Sequence, residues 1–241
     1  MTEKRHCIIL RTVKYGDSQL IVDMLTPDAG RVSAVWRMPR GAKGRGGRNA
    51  FQPLSVCDVI VERTRSSRLP LIKEVHIASP YATICTDPVK ISVAFFIAEF
   101  LSQVSRAEQA DAKMYDFIEN TLLWYDLTDA GTANFHIMFL VRVSRFLGFY
   151  PNMESYSRGC VFDMRAAEFC SYVPPHKDFL SAAEAERLGM LMRMTPANMH
   201  YFRFSRDERN RIVETMLRFY ALHVPGFKEM KSWEVLRSIF R

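Results

Sequence analysis

Between His6 and Ile77 apolar side chains recur at every second position, the spacing of a strand with one face turned to a core, and this alternation restricts the fold more than any other feature. Five strand candidates emerge: Ile8, Leu10 and Thr12; Leu20, Val22 and Met24; Val32, Ala34 and Trp36; Cys57, Val59 and Val61; Leu71, Val75 and Ile77. Turn chemistry separates them at Tyr15-Gly16-Asp17-Ser18, at Thr26-Pro27-Asp28-Ala29-Gly30 and in the glycine-rich tract after Pro39. About 75 residues with five short strands fit a small closed barrel of the oligonucleotide/oligosaccharide-binding type better than a sandwich, although periodicity alone leaves the topology open.

Around Pro80 the pattern changes to helical. Asp87-Pro88 supplies a start in which Asp caps free N–H groups and Pro takes the first helical position. Phe95, Phe96, Phe100, Leu101 and Val104 make one broadly apolar helix, and Met114, Phe117, Ile118, Thr121, Leu122 and Tyr125 recur at three and four residues on the next. A third runs from about Thr132 to Leu147 and stops at Gly148, with Pro151 barring continuation. Residues 152–180 read as irregular with room for a small hairpin, and helical texture returns from Ser181, after Arg206 and from Ser232. At 241 residues and 48% hydrophobic content the chain supports two modest cores. The expected architecture is therefore mixed: an all-β barrel over 1–79, then an all-α domain over 80–241 with a small irregular insertion.

Charge is distributed unevenly. Residues 1–79 hold 14 of the 33 Lys and Arg but only 7 of the 26 Asp and Glu, so the remainder carries 19 of each sign and the whole net excess of +7 sits in the first third. Clustered cations on one module suit a polyanion, because each phosphate neutralised releases condensed counterions. Arg31, Arg37, Arg40, Lys43, Arg45 and Arg48 occur with no acid between Asp28 and Asp58. Strand parity places Arg31, Ser33, Val35 and Arg37 on the face opposite Val32, Ala34 and Trp36, so Trp36 is expected in the core and the two guanidiniums outside it. Glycines let the loop from Pro39 to Gly47 bend close to a ligand. With Arg63 at the end of the fourth strand, these six cations are the candidate DNA-binding residues; such forks hold phosphate without reading bases.

Other chemistries lack their residues. Gly41-Ala42-Lys43-Gly44-Arg45-Gly46-Gly47 has no terminal Gly-Lys-Ser/Thr and lies between strands, which argues against nucleotide hydrolysis. The histidines form no metal-binding pair, and no nucleophile elbow or defensible carboxylate pair is present, so no enzyme and no cofactor are expected. Cys7, Cys57, Cys85, Cys160 and Cys170 are scattered, as free thiols in a reducing compartment are. Cys160, Cys170 and His176 lack the paired spacing of a zinc site, and no metal is expected. The longest apolar runs, such as Ile137 to Val141, fall far below the roughly 20 residues of a membrane span. The opening Met1 to Arg11 lacks the apolar core of a secretory signal, so the chain reads as cytoplasmic. Two rival functions stay open: an RNA-binding barrel, and a nuclease using carboxylates such as Asp58 and Glu62.

The order of local signatures resembles the RecO family of DNA repair and recombination mediators across essentially the whole chain. Ile9-Leu10-Arg11-Thr12, Tyr15-Gly16-Asp17-Ser18, Thr26-Pro27-Asp28-Ala29-Gly30-Arg31-Val32 and Phe51-Gln52-Pro53-Leu54 match its strand, turn and loop landmarks. Arg145-Phe146-Leu147-Gly148-Phe149-Tyr150-Pro151 and Lys231-Ser232-Trp233-Glu234-Val235-Leu236 support it downstream. The resemblance implies binding of single- and double-stranded DNA, strand annealing after DNA damage, and a nucleoid-associated role with RecR that helps RecA displace single-strand-binding protein. Many relatives carry a paired-cysteine zinc motif where this chain keeps only Cys160 and Cys170. A further family trait is recognition of the acidic, Pro-Phe-ending tail of single-strand-binding protein. Phe135, Met138, Arg142, Arg145 and Phe149, at steps of three and four, are the candidate face, against the alternative that the apolar members are core and the arginines reach to solvent.

Overall fold

The computed structural model of the chain describes residues 2–38, 47–63, 68–106 and 109–239. Strands β1 (Thr2–Tyr15), β2 (Gln19–Thr26), β3 (Gly30–Arg37), β4 (Val56–Glu62) and β5 (Leu71–Ser79) close into a barrel in the order β1-β2-β3-β5-β4. Strand β1 serves two neighbours, pairing with β4 over its first half and with β2 over its second, and a bulge between Ile9 and Arg11 marks the change. The closing pair β3–β5 is parallel and short, with Val35 opposite Leu71 and Trp36 opposite Ile72.

Cys7, Ile9, Leu20, Val22, Met24, Ala34, Trp36, Val59 and Val61 fill the barrel. The expected inward face of β1 is thereby shifted: Cys7 and Ile9 enter the barrel, Ile8 and Leu10 are equally buried on the other face, and Thr12 is exposed. Helix α1 (Pro88–Val104) packs against β1, which explains why both faces of this stretch are covered. On β5 the residue that enters the core is Ile72, not Leu71, and Ile77 is 47% exposed. A register slip between Ile60 and Val61 leaves Lys73 without a directly opposed residue and reverses the strand's parity there.

The chain divides into two compact units. The first joins Met1–Leu127 to Glu229–Phe240. The change from strand to helix near residue 80 is thus not a packing boundary, because α1, α2 (Ala112–Leu127) and, in chain order last, α6 (Lys231–Ile239) belong with the barrel. Asp87 caps α1 by accepting from the N–H groups of Val89 and Lys90 at 2.7 and 3.0 Å, with Pro88 at the first helical position. Glu99 of α1 accepts the N–H groups of Lys231 and Ser232 at 3.1 and 2.8 Å, placing a carboxylate at the positive end of α6. Phe96 and Trp233 meet beneath it, ring centroids 6.0 Å apart.

The second unit spans Thr128–Lys228. Its centre is α3 (Phe135–Phe146), apolar almost all round and correspondingly buried. Gly148 follows at φ +84°, the left-handed conformation expected just past a helix end. Helices α4 (Ala182–Leu191) and α5 (Arg206–His223) each open on a capping box, Ser181 with Glu184 and Ser205 with Glu208. The insertion expected to be irregular holds an antiparallel sheet of β6 (Val161–Asp163), β7 (Glu168–Cys170) and β8 (Phe179–Leu180), in the order β7-β6-β8, so this part of the chain is not purely helical. No helix among the described residues is long and apolar enough to cross a membrane.

Candidate nucleic-acid interface

Directly opposed residues of antiparallel strands share a face, so the register of β1, β2 and β3 defines rows on the outside of the barrel. The outermost row is Tyr15, Gln19 and Arg37. Tyr15 is 60% exposed and Arg37 is exposed, which stands an aromatic ring and a guanidinium on one surface, while Lys14, exposed at the same strand end, belongs to the opposite face with Leu20 and Trp36. Val13, Ile21 and Val35 form the next row, with Val13 also exposed. In the third, the buried carboxylate of Asp23 accepts from Arg11 Nε and Ser33 Oγ, each at 2.5 Å, so the Arg11 charge is matched within the protein.

The basic loop begins and ends at that place. Met38 N–H donates to the Ser18 carbonyl at 2.8 Å, tying the exit of β3 to the β1–β2 turn. At the other end Gly47 lies against Trp36, where an added Cβ would come within 2.7 Å of the indole ring. Trp36 is 4% exposed and meets Phe51 edge to face, centroids 5.0 Å apart, so it is a core residue and not a stacking platform. Arg48 is exposed on a helical turn at 47–50, while Arg40, Lys43 and Arg45 lie outside the described residues.

Of the remaining candidates, Arg31 shares its strand face with Arg37 but not its freedom. Its Nη1 donates to the Ser102 carbonyl, its backbone N–H bonds Arg106 O at 3.1 Å, and the side chain is half-buried. Arg63 is exposed just past β4. Among the described barrel residues Lys14, Arg37, Arg48 and Arg68 pair with no carboxylate, whereas Lys4 is held by Asp58 at 2.9 Å and Lys73 by Glu62 at 2.8 Å. Lys14 and Tyr15 escaped the sequence reading. Their signal was present in the alternation of β1, which continues right up to Gly16, whose φ of +64° makes the turn.

The acids expected as possible metal ligands are occupied differently. Asp58 accepts from His6 Nδ1 at 2.7 Å as well as from Lys4, and these two hydrogen bonds hold its carboxyl below the usual carboxylate range. The Lys73 ammonium does the same for Glu62. In the second unit Cys160 is buried, Cys170 Sγ donates to Tyr172 O at 3.2 Å, and His176 pairs with Asp163 at 3.3 Å.

The face expected to receive a Pro-Phe tail is largely interior. Phe135 and Met138 are fully buried, and Phe149 packs among Phe219, Tyr220 and His223, stacked on His223 at 4.8 Å. Arg142 donates to the Met194 carbonyl through Nε at 3.0 Å and Nη2 at 2.8 Å. Only Arg145, lying over the Tyr150 ring at 5.9 Å, remains open. The helix period that aligned Phe135 and Met138 also turned them into the core.

Comparison with known proteins agrees with the layout. Residues 1–81 match the family described as Recombination protein O N terminal, and residues 85–234 match the one described as Recombination protein O C terminal. A DNA repair protein RecO from Phocaeicola vulgatus is 42% identical over 240 residues, covering all of both chains, and one from Bacteroides fragilis is 38% identical, again end to end. The DNA repair protein RecO of Porphyromonas gingivalis is 32% identical over 97% of each chain. Both halves occur in the family's order along one chain that aligns end to end with these relatives, and the protein therefore belongs to the RecO family of DNA repair proteins.

Proposed function

We propose that this protein is a non-enzymatic mediator of DNA repair and homologous recombination, whose five-stranded barrel, of the oligonucleotide/oligosaccharide-binding type, binds single- and double-stranded DNA and promotes annealing of complementary strands. The observation that carries this reading is the row in which Arg37, matched by no acid, stands with the exposed Tyr15, with the likewise unmatched Lys14 and Arg48 at the end of the barrel where the basic loop leaves and rejoins it. Cations of this kind neutralise phosphates on two strands and lower their mutual repulsion, while base pairing supplies the selectivity. The ring offers a sequence-tolerant stacking surface for an unpaired base. Asp58 and Glu62 are engaged by basic neighbours, which supports a role without metal-assisted cleavage.

Family membership extends the reading to a nucleoid-associated setting in the cytoplasm. There the expected partners are RecR and the tail of single-strand-binding protein, with assistance to RecA as the outcome. The deciding experiment is annealing of complementary strands by the purified protein in chelator and without nucleotide. Wild type should anneal, and a variant with Arg40, Lys43, Arg45 and Arg48 neutralised should anneal markedly more slowly, with a flatter dependence on salt. Magnesium-dependent strand cleavage, or equal annealing by both proteins, would overturn the proposal.

A further inference from the structure

Arg31 lies six residues before Arg37 on β3, about 20 Å away along a strand that rises about 3.3 Å per residue. At that end the barrel wall is not zipped. Strand β3 meets β5 only at Val35 and Trp36, and a cleft of about 770 Å³ opens beside the unpaired part. Arg5, Arg31, Arg63 and Arg68 line it, against two acids, Glu3 and Asp28.

Two of these guanidiniums are held in place by the protein. Arg5 is 13% exposed; its Nη2 lies 3.0 Å from Glu3 Oε2. Its Nη1 is buried without a hydrogen-bond acceptor, the Asp28 carboxylate standing 3.6 Å off. Arg5 is thus charge-matched by two carboxylates, and the cations left for an anionic ligand are its neighbours. Arg31 is fixed by the Ser102 carbonyl through one nitrogen and keeps other donors of its fork for a ligand. Arg68 adds an exposed charge with no carboxylate partner. Val32, Leu69 and Pro70, each partly exposed, supply an apolar wall beside these cations. Apolar surface next to fixed guanidiniums suits a nucleotide, with its flat base and its phosphate, and the volume falls within the roughly 300–1,000 Å³ typical of small-ligand sites.

We propose that this cleft is a second strand-binding site, taking an unpaired nucleotide of a DNA strand with its phosphate at Arg31 and Arg68 and its base on the Val32–Leu69–Pro70 wall, while the Tyr15–Arg37 row holds a different strand. The proposal rests on the DNA-binding reading above and specifies how two strands are held on one barrel. Each occupies its own cationic surface, separated by the length of β3, so that neither competes for the other's contacts.

The test is the number of short oligothymidylate molecules bound per chain by native mass spectrometry, with thymidine monophosphate titrated in parallel. Wild type should bind two oligomers. Arg68→Glu, at an exposed position, and Arg31→Gln, checked for folding by its melting curve, should each bind one, with affinity at the remaining site changed less than about twofold and annealing slowed about tenfold. The double substitution Tyr15→Ala with Arg37→Gln should remove the other oligomer and leave the cleft filled. One oligomer on wild type, or two on Arg68→Glu, would overturn the second site. Thymidine monophosphate binding the cleft as tightly as the oligomer would reassign it to free nucleotides and likewise reject a strand role. Wild type that binds no oligomer would instead defeat the DNA-binding reading itself, and the second site with it.

Discussion

Tyr15 and Arg37 occupy one cross-strand row, each directly opposite Gln19, so a ring and a guanidinium are presented together on the outside of the barrel. The two act on DNA by different physics. Stacking is insensitive to salt and requires an unpaired base, whereas the guanidinium engages phosphate of any strand. Tyr15→Ala should therefore weaken single-strand binding by about tenfold, within the ~1–3 kcal/mol of one base–aromatic stack, while leaving duplex affinity nearly unchanged. Arg37→Gln should weaken both and lower the slope of log affinity against log salt by about 1. Anisotropy titrations on matched single and double strands at several salt concentrations separate the two. Equal loss on both forms for Tyr15→Ala would remove the stacking role.

Trp36 looks from composition alone like a base-stacking residue, but its ring lies within the barrel against Phe51 and Gly47. Trp36→Ala should cost about 3–5 kcal/mol of stability through lost burial and a residual cavity. Urea unfolding measures this directly. Trp36→Phe, which keeps an aromatic ring there, should recover much of the loss, whereas a stability change below about 1 kcal/mol on truncation to Ala would contradict the core assignment.

How far each feature could be read from the sequence follows from its physical range. Alternation is local, and it located all five barrel strands; Asp87-Pro88 and Gly148 are local too, and they mark the helix boundaries they were expected to mark. The closing β3–β5 contact is nonlocal, and only two residue pairs make it. The slip beside Lys73, which brings Ile72 inward, depends on how β4 opposes β5, a property of the pair and not of either strand. The small sheet of the second unit uses strands of two and three residues, too short for periodicity to register. For the sites, parity identified the outer face carrying Arg31 and Arg37. It could not disclose that the Ser102 carbonyl would engage Arg31, or that Met194 would engage Arg142, because those acceptors lie 71 and 52 residues away.

Asp126, at 4% exposure, closes a polar cluster inside the first unit. Its carboxylate accepts the consecutive N–H groups of Ala82, Thr83 and Ile84 at 2.7 to 2.8 Å. Lys90 Nζ bonds the carbonyls of Tyr125 and Asp126 at 2.9 and 3.1 Å. Burial opposes ionisation of Asp126, but the three backbone donors outweigh it and hold the carboxyl below its usual range. Asp126→Ala would leave these donors without their acceptor, the Ile84 N–H among them buried, at a cost of about 3 kcal/mol or more in denaturant unfolding. Asp126→Asn should recover only part, since the amide brings its own N–H groups against backbone N–H. Full recovery by Asn would show that the charge contributes nothing.

His6 joins β1 to β4 and α2, its Nδ1 2.7 Å from Asp58 and its Nε2 3.1 Å from Glu119, with Lys4 on the same Asp58 carboxylate and the edge of Tyr115 6.0 Å away. Burial lowers the pKa of this imidazole, yet the hydrogen bonds and charges of Asp58 and Glu119 together outweigh it, and the net direction is upward from 6.5. A group bound more tightly as the cation in the folded state stabilises fully below its unfolded pKa, and loses that contribution as pH rises through the higher folded value. Asp58 works in the opposite sense. Its carboxyl is lowered from 3.8, so its contribution is present above that value and lost as pH falls through the folded one. The contact is therefore most stabilising in mildly acidic solution, where the carboxylate and the imidazolium coexist. Because the His6 side chain is 37% exposed and water screens the pair, the effect should stay at or below about 1 kcal/mol. Thermal unfolding of wild type and His6→Gln from about pH 5 to about pH 9 should show wild type ahead at the acidic end and the gap closing as the imidazole loses its proton. A gap that is constant or widens with pH would mean that the neutral ring makes this contact, through packing on Tyr115 and not through charge.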